Sequence, residues 1–113
     1  MTRQLATKIR ATALLRIVQH AGGNATVIKR GDPDSGEILI LCAEKGQITA
    51  LFERVQSVSG QYEWAPVLTQ IIENKEEIDR YLARRMSFDP DIWVIELDIP
   101  NAERFVVETG ALI

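Results

Sequence analysis

The first apolar pattern in the chain has the spacing of a helix. Across residues 4–21, apolar side chains recur every three or four positions and so fall on one side of a helix. Basic side chains fall on the other side, among them Lys8, Arg10 and Arg16. The pair Gly22-Gly23 follows, and glycine accepts the left-handed backbone that ends a helix. The pattern predicts an amphipathic first helix with a basic outer face.

Apolar or alternating runs separated by turn residues come next. They predict strands at residues 25–30, 37–43, 47–55 and 61–65, the last ending at Pro66. The second of these runs is apolar almost throughout, so we expect it to be buried on both faces at the centre of a sheet. Because the connecting turns are short, the four strands are expected to form an antiparallel meander.

The last third of the chain predicts a second helix and further strands. Asn74 has the chemistry of an N-cap, and the helix that it begins is expected to run to about residue 87. An alternating run predicts a strand at residues 92–98, and a last strand is predicted at residues 104–108.

Together these elements predict an α+β fold. We expect an antiparallel sheet of five or six strands, with two helices packed on one of its faces because each helix has a single apolar stripe. A chain of 113 residues has the usual size of one domain, so residues 1–113 are interpreted as a single α+β domain.

Cysteine usage predicts the compartment. Cys42 is the one cysteine, so an internal disulfide is excluded, and it lies within the apolar run 37–43. The longest apolar stretch is far shorter than the ~20 residues that span a bilayer. We therefore expect a cytoplasmic protein without a membrane segment.

Charge is distributed unevenly along the chain. Residues 1–30 contain six basic residues and no acid, whereas residues 88–113 contain six acids and one basic residue, Arg104. Such asymmetry can mark a binding face, or the two ends can neutralise each other across the fold. The net charge of −3 favours the second interpretation, because proteins that bind polyanions usually are basic.

Two stretches carry a resemblance to a known family. They are residues 29–36, with the sequence KRGDPDSG, and residues 80–96, which include RYLARR and FDPDIWVIE. Together they resemble a family of short, uncharacterised alphaproteobacterial proteins that form a domain of unknown function. The resemblance covers most of residues 5–98. It implies a bacterial, cytoplasmic protein and implies no particular chemistry.

Four carboxylates are arranged as two Asp-Pro-Asp turns. Asp32 and Asp34 form one, and Asp89 and Asp91 form the other. If the two turns are adjacent in the fold, the four carboxylates would be able to bind a hard cation such as Mg²⁺ or Ca²⁺. The simpler interpretation is turn chemistry, because aspartate accepts hydrogen bonds from its own backbone and proline presets φ. We favour the turn interpretation and predict no metal ligands.

Basic and aromatic residues flank these turns. Arg30, Arg84 and Arg85 are expected either to form ion pairs with Asp32, Asp89 and Asp91 or to receive an anion. The ion-pair interpretation is favoured, because arginines near the end of a helix usually are structural. Trp93 lies in an alternating strand and is expected to be a core residue that also borders the turns.

The sequence offers little catalytic chemistry. His20 and Cys42 are each the only residue of their type, and an apolar environment makes a thiol inert. One histidine and one cysteine cannot form a structural zinc site, and no glycine-rich phosphate loop precedes a helix. We predict no cofactor.

These observations favour a non-enzymatic adaptor or housekeeping protein that acts through protein–protein contacts or self-association. Its predicted contact surface consists of the turn 30–36 and the segment 84–93. One alternative is a nucleic-acid-binding module that uses the basic first helix. A further alternative is a divalent-cation-dependent enzyme or ligand binder that uses the Asp-Pro-Asp turns. Gly31 is expected to hold positive φ, so that Gly31→Val would destabilise the protein.

Overall fold

A computed structural model describes residues 5–67 and 75–109 of the chain. Within these ranges the chain forms three helices and five strands. In chain order they are α1 (Thr7–His20), β1 (Asn24–Lys29), β2 (Ile38–Glu44), β3 (Gln47–Gln56), β4 (Tyr62–Pro66), α2 (Lys75–Phe88), β5 (Trp93–Asp98) and α3 (Ala102–Thr109). The predicted N-cap Asn74 lies outside the described residues.

The strands form one mixed sheet with the order β1-β5-β2-β3-β4. The neighbours β2 and β5 are parallel, and the other three pairs are antiparallel. The predicted four-stranded meander is therefore wrong, because only β2, β3 and β4 pair consecutively. The exposed side chains of β1 suit the edge of the sheet, whereas β5 is apolar on both faces and lies beside β2 at the centre.

Helices cover both faces of this sheet. The larger apolar cluster joins α1 and α3 to one face, with Leu14, Val18 and Val106 fully enclosed. The smaller cluster joins α2 to the other face through Ile78 and Leu82. The prediction of two helices on one face is thus corrected. Because β2 is buried on both sides, as predicted, each side of the sheet requires a covering layer.

The predicted strand at residues 104–108 is part of the helix α3. The side chains that this helix turns toward the protein are Ala102, Phe105 and Val106, spaced by three and four residues. Helical spacing of the apolar side chains therefore outweighed the β-propensity of the pair Val106-Val107.

The apolar stripe of α1 is rotated from its predicted position. Leu5, just before the helix, and Ile9 are 59% and 54% exposed, whereas Thr7 and Arg10 are 2% and 7% exposed. The outer basic face that sequence analysis predicted therefore loses Arg10, because the turn that precedes β2 covers the beginning of the helix.

No helix among the described residues is long and apolar enough to cross a membrane.

Gly31 has a steric role that differs from the predicted one. Among the described glycines, positive φ occurs at Gly22, Gly46 and Gly60 but not at Gly31. A Cβ at Gly31 would instead overlap the carbonyl oxygen of Asp91 and lie 2.6 Å from the carbonyl carbon of Ile92. Glycine is needed here for the close approach of two backbone segments.

We expect Gly31→Val to lower the free energy of unfolding by about 3 kcal/mol, because the two backbone segments must separate. Gly46→Ala is the matched control: it meets open space and carries only the strain of positive φ, about 1 kcal/mol. Urea denaturation of both variants measures the difference. A Gly31→Val variant as stable as Gly46→Ala would contradict the steric explanation.

Candidate functional site

The turn before β2 holds the beginning of α1. The backbone N–H groups of Thr7 and Lys8 donate to the carbonyls of Asp34 at 3.2 Å and Pro33 at 2.8 Å. The hydroxyl of Thr7 donates to the carbonyl of Gly36 at 2.8 Å. No side chain caps this helix at its first residue. Backbone carbonyls from a distant turn therefore satisfy N–H groups that a helix N-terminus leaves unpaired.

The two Asp-Pro-Asp turns are neighbours. The N–H of Asp32 donates to the carbonyl of Asp91 at 2.9 Å, and the indole N–H of Trp93 donates to the carbonyl of Asp32 at 2.7 Å. The ammonium group of Lys29 donates to the carbonyls of Pro90 at 2.7 Å and Ile92 at 3.1 Å. Residues 31–36 and 89–93 are called the turn junction below. It lies at the end of the sheet where the parallel strands β2 and β5 begin.

Two of the four aspartates stabilise their own turns. The carboxylate of Asp32 accepts hydrogen bonds from the backbone N–H groups of Ser35 at 2.8 Å and Asp34 at 3.1 Å, and from the Ser35 hydroxyl at 3.0 Å. The N–H of Ser35, then its hydroxyl, hold the pKa of Asp32 below its ordinary value. Asp89 accepts a hydrogen bond from the N–H of Asp91 at 3.2 Å.

The arrangement is that of two aspartate turns joined through their backbones. Among the described residues, no group of three or more histidine, cysteine, aspartate or glutamate side chains is placed to hold a metal ion. The cation hypothesis built on these turns therefore finds no ligand set in the described part of the chain.

The arginines do not form the predicted ion pairs with these aspartates. The guanidinium of Arg85 donates to Glu53 on β3 at 2.8 Å and to the hydroxyl of Tyr81 at 3.0 Å. Partial burial lowers the pKa of Arg85, but the hydrogen bonds and the charge interactions with Glu53 and Tyr81 together raise it above its ordinary value. Arg30 lies over the ring of Trp93, with 5.4 Å between the guanidinium carbon and the ring centroid. Because α2 packs on the sheet face opposite α1, Arg85 meets β3 instead of the turn 31–36.

The predicted surface residues separate into buried and exposed groups. Trp93 is only 3% exposed, so it supports the turn junction from the core. Arg30, Asp34, Arg84 and Asp91 are exposed.

Phe88 lies within the predicted contact segment 84–93, but sequence analysis did not single it out; it is 83% exposed at the end of α2. It lies one turn of helix after Arg84, so the two side chains are neighbours on the outer face. The exposure of Phe88 could have been predicted from the spacing of apolar residues in α2. Ile78, Leu82 and Met86 define the inner face of this helix at spacings of four, and Phe88 falls outside that series.

A second missed feature is a small pocket on the α1 side of the sheet. It has a volume of about 260 Å³, and its lining includes Arg10 of α1, Arg54 of β3 and Tyr62 of β4. Arg54 follows Phe52 on the same face of its strand, where alternation predicts an apolar side chain, and this was the detectable signal. Arg10 gave no such signal, because the helical pattern placed it on the outer face.

Cys42 is enclosed completely within the core. Burial, and to a smaller extent the negative charge of Glu103, raise the pKa of its thiol to about 12. The thiolate is the nucleophilic form of cysteine, so a thiol with this pKa is unsuited to nucleophilic catalysis at neutral pH.

Comparisons with known proteins agree on a family. The family model described as "Protein of unknown function (DUF1491)" matches residues 5–107. No curated protein matches the chain.

Solved structures extend this similarity to the fold. The chain is similar to the crystal structure of a DUF1491 family protein from Caulobacter crescentus CB15, with 33% identity, a TM-score of 0.74 and coverage of 85% of this chain and 89% of that chain. It is also similar to the solution structure of protein Atu0922 from A. tumefaciens, with 26% identity, a TM-score of 0.70 and coverage of 86% and 87%.

Asp32→Asn is expected to weaken the dependence of stability on acid. Because the folded pKa of Asp32 is lowered, its ionised carboxylate stabilises the fold above the ordinary pKa, and this contribution is lost as the pH falls through the folded value. Urea midpoints of the protein and the variant should therefore differ at about pH 5 and converge as the pH falls through the folded pKa of Asp32, which lies below its ordinary value. A gap that stays constant over this range would show that Asp32 does not titrate in this way.

Cys42 is expected to resist a disulfide reagent in the folded protein. At about pH 8 the native thiol should react at least ~100-fold more slowly than in urea, because it is buried and protonated. The chain contains one cysteine, so the absorbance of the released thiolate reports Cys42 alone. Equal rates in buffer and in urea would contradict the burial.

Proposed function

The chain belongs to the DUF1491 family of proteins of unknown function, and from its own geometry we propose that it is a non-enzymatic adaptor that binds a protein partner. The binding surface consists of exposed side chains at the turn junction, at Arg30 beside it and at the end of α2. These are Arg30, Asp34, Arg84, Phe88 and Asp91, and they are called the junction surface below.

The exposure of Phe88 is the observation that carries this proposal. A phenylalanine that is 83% exposed leaves a large apolar area in contact with water, which a partner would remove. Aromatic side chains and arginines are the residues that most often dominate the energy of protein interfaces. Phe88 and Arg84 provide one of each on adjacent turns of α2.

The support beneath this surface is fixed before binding. Asp32 and Trp93 connect the two turns, and Lys29 holds the carbonyls of Pro90 and Ile92. A surface that is already ordered loses little conformational entropy when a partner binds. These hydrogen bonds give the polar residues of the two turns a structural role. Their presence therefore does not by itself indicate a catalytic site.

The charge distribution supports a protein partner over nucleic acid. The basic outer face of α1 retains Lys8 and Arg16 but loses Arg10 to burial, and each lost phosphate contact weakens an electrostatic interface. The junction surface itself carries two arginines and two aspartates, which suits a mixed polar interface. We also propose a cytoplasmic location, which the free buried cysteine supports because such cysteines are typical of reducing compartments.

We expect the tagged protein to capture the same partner from nuclease-treated and untreated cell extract. Phe88→Ala should weaken the binding of the purified partner about 30-fold, the effect of losing an interface residue worth about 2 kcal/mol. Arg84→Glu should weaken it further by opposing the partner's charge. Isothermal titration calorimetry with the purified partner measures the affinity of each variant.

Val107→Ala is the matched control, because Val107 is an apolar residue of α3 that is 62% exposed and lies outside the junction surface. The affinity of the Val107→Ala variant for the partner should equal that of the unchanged protein. Equal effects of Phe88→Ala and Val107→Ala would refute the proposed surface. Partners that disappear after nuclease treatment would favour the nucleic-acid alternative instead.

A further inference from the structure

A pocket with a volume of about 680 Å³ lies between the sheet and the first half of α2. Its walls include Ile28, Leu41, Ile48, Ile78 and Glu96, and it is called the α2 pocket below. Two helices pack on the other face of the sheet, whereas α2 is the described helix that packs on this one. A helix is about 10 Å wide and five strands span about 20 Å, so part of this face stays open beside α2.

The walls of the α2 pocket are mostly apolar. Leu41 and Ile78 are each 4% exposed and belong to the core cluster between α2 and the sheet. Ile28, by contrast, is 51% exposed, and the pairing of β1 with β5 skips it at a β-bulge. Bulges at sheet edges often redirect a side chain beside a binding site. A hydrocarbon or aromatic group in the pocket would cover the exposed surface of Ile28.

Glu96 interrupts the apolar face of β5 that points toward α2. Val94 belongs to the cluster that α2 covers, and residues two apart in a strand share a face. The neighbours of Glu96 on the adjacent strands are Leu41 of β2 and Thr26 of β1, neither of which carries a charge. Glu96 is partly buried, so its carboxylate loses some of its water without gaining a counter-ion from the sheet.

The carboxylate of Glu96 is open to a ligand. Among the described residues it has no ion pair within 4 Å and no side-chain hydrogen bond. Every buried side-chain oxygen or nitrogen in the described part of the chain has a hydrogen-bond partner. The unpaired oxygens of Glu96 are therefore not enclosed, and the α2 pocket gives access to them.

The charged side chains around the α2 pocket leave one negative charge unmatched. Lys75 and Asp79, which are exposed at the beginning of α2, line the pocket together with Glu96. Lys75 balances one of the two carboxylates, and the seven residues between Val67 and Lys75 contain no basic side chain. The pocket therefore attracts a cation, whereas an anion would be repelled.

We propose that the α2 pocket binds a small organic amine that carries a hydrocarbon or aromatic group. The ammonium donates to the carboxylate of Glu96, and the apolar group contacts Ile28, Ile48 and Ile78. Hydrogen bonds between charged groups are about twice as strong as neutral ones. A small molecule is the chosen occupant because the volume lies within the usual range of small-molecule sites, about 300–1,000 Å³. The proposal goes beyond the adaptor function and uses no residue of the junction surface.

The first experiment is a titration followed by ¹⁵N–¹H spectra, with 2-phenylethylamine as the probe. The amine should shift the amide signals of residues that line the pocket, such as Gly46 and Ile48, in a saturable way. The uncharged 2-phenylethanol and the anion 3-phenylpropanoate should bind at least about tenfold more weakly. Equal binding of the amine and the alcohol would overturn the proposal.

Two substitutions with opposite expected effects test the charges. Glu96→Gln should weaken binding of the amine about tenfold, because the charged acceptor is lost while the shape of the side chain is kept. Lys75→Gln should strengthen it about threefold, because a like charge is removed from the rim. Glu63→Gln is the matched control: Glu63 is an exposed acid of β4 outside the pocket, so the affinity should not change.

The amide spectra of these variants show whether each one keeps the fold. A folded Glu96→Gln variant that binds the amine as tightly as the unchanged protein would overturn the assignment of Glu96. Weaker binding by a folded Lys75→Gln variant would contradict the charge argument, because Lys75 would then contribute to the site instead of opposing the cation.

A pair of neighbouring residues tests the apolar wall. Ile28→Ala should weaken binding of the amine about threefold, because contact area with the aromatic ring is lost. Val27→Ala is the control, since Val27 is 36% exposed on the same strand but pairs with Ile95, which belongs to the cluster on the opposite face. Equal effects of the two substitutions would show that the ring does not lie in the pocket.

A capped peptide with one lysine between alanines tests the alternative that the pocket holds a side chain of another protein. The small amine should bind at least about tenfold more tightly than the peptide. Tighter binding of the peptide would overturn the choice of a small molecule. Phe88→Ala should leave the affinity for the amine unchanged, so failure of the junction surface and failure of the α2 pocket can be told apart.

Discussion

The contact between two backbone segments at Gly31 and Asp91 is the constraint on which the rest of this end of the protein depends. The segments approach so closely that a side chain at Gly31 cannot be accommodated. This contact aligns the starts of β2 and β5, which pair in parallel from Ile38 and Trp93 onward. It also presents the carbonyls of the turn 31–36 to the first N–H groups of α1. A helix on one face and a central strand pair are therefore fixed by the same turn.

Part of the candidate site was accessible from sequence. The two Asp-Pro-Asp segments are turns, and Asp32 accepts hydrogen bonds from its own backbone, as the residue types indicated. The ion pair between Arg85 and Glu53 could not be predicted from the sequence. Glu53 lies far from Arg85 in the chain, and the two side chains come into contact only because α2 packs on the second face of the sheet. Arg10 was assigned to the wrong side of α1, since periodicity reports the average direction of the apolar side chains and not what covers the first turn.

The spacing of apolar and turn residues in the sequence by itself determined the positions of α1, α2 and most of the strands, the burial of β2 and the α+β class. These features depend on side-chain periodicity and on turn residues, which act over only a few positions of the chain. Tertiary structure alone decided the order of the strands, the parallel pair β2 and β5, the helical state of residues 102–109 and the cover of both sheet faces. Those features depend on which apolar surfaces meet, and surfaces from distant parts of the chain compete for the same neighbours. The position of Arg10 and Arg54 in the lining of one pocket was likewise decided by tertiary structure, because the two residues come near each other only when α1 packs on the sheet.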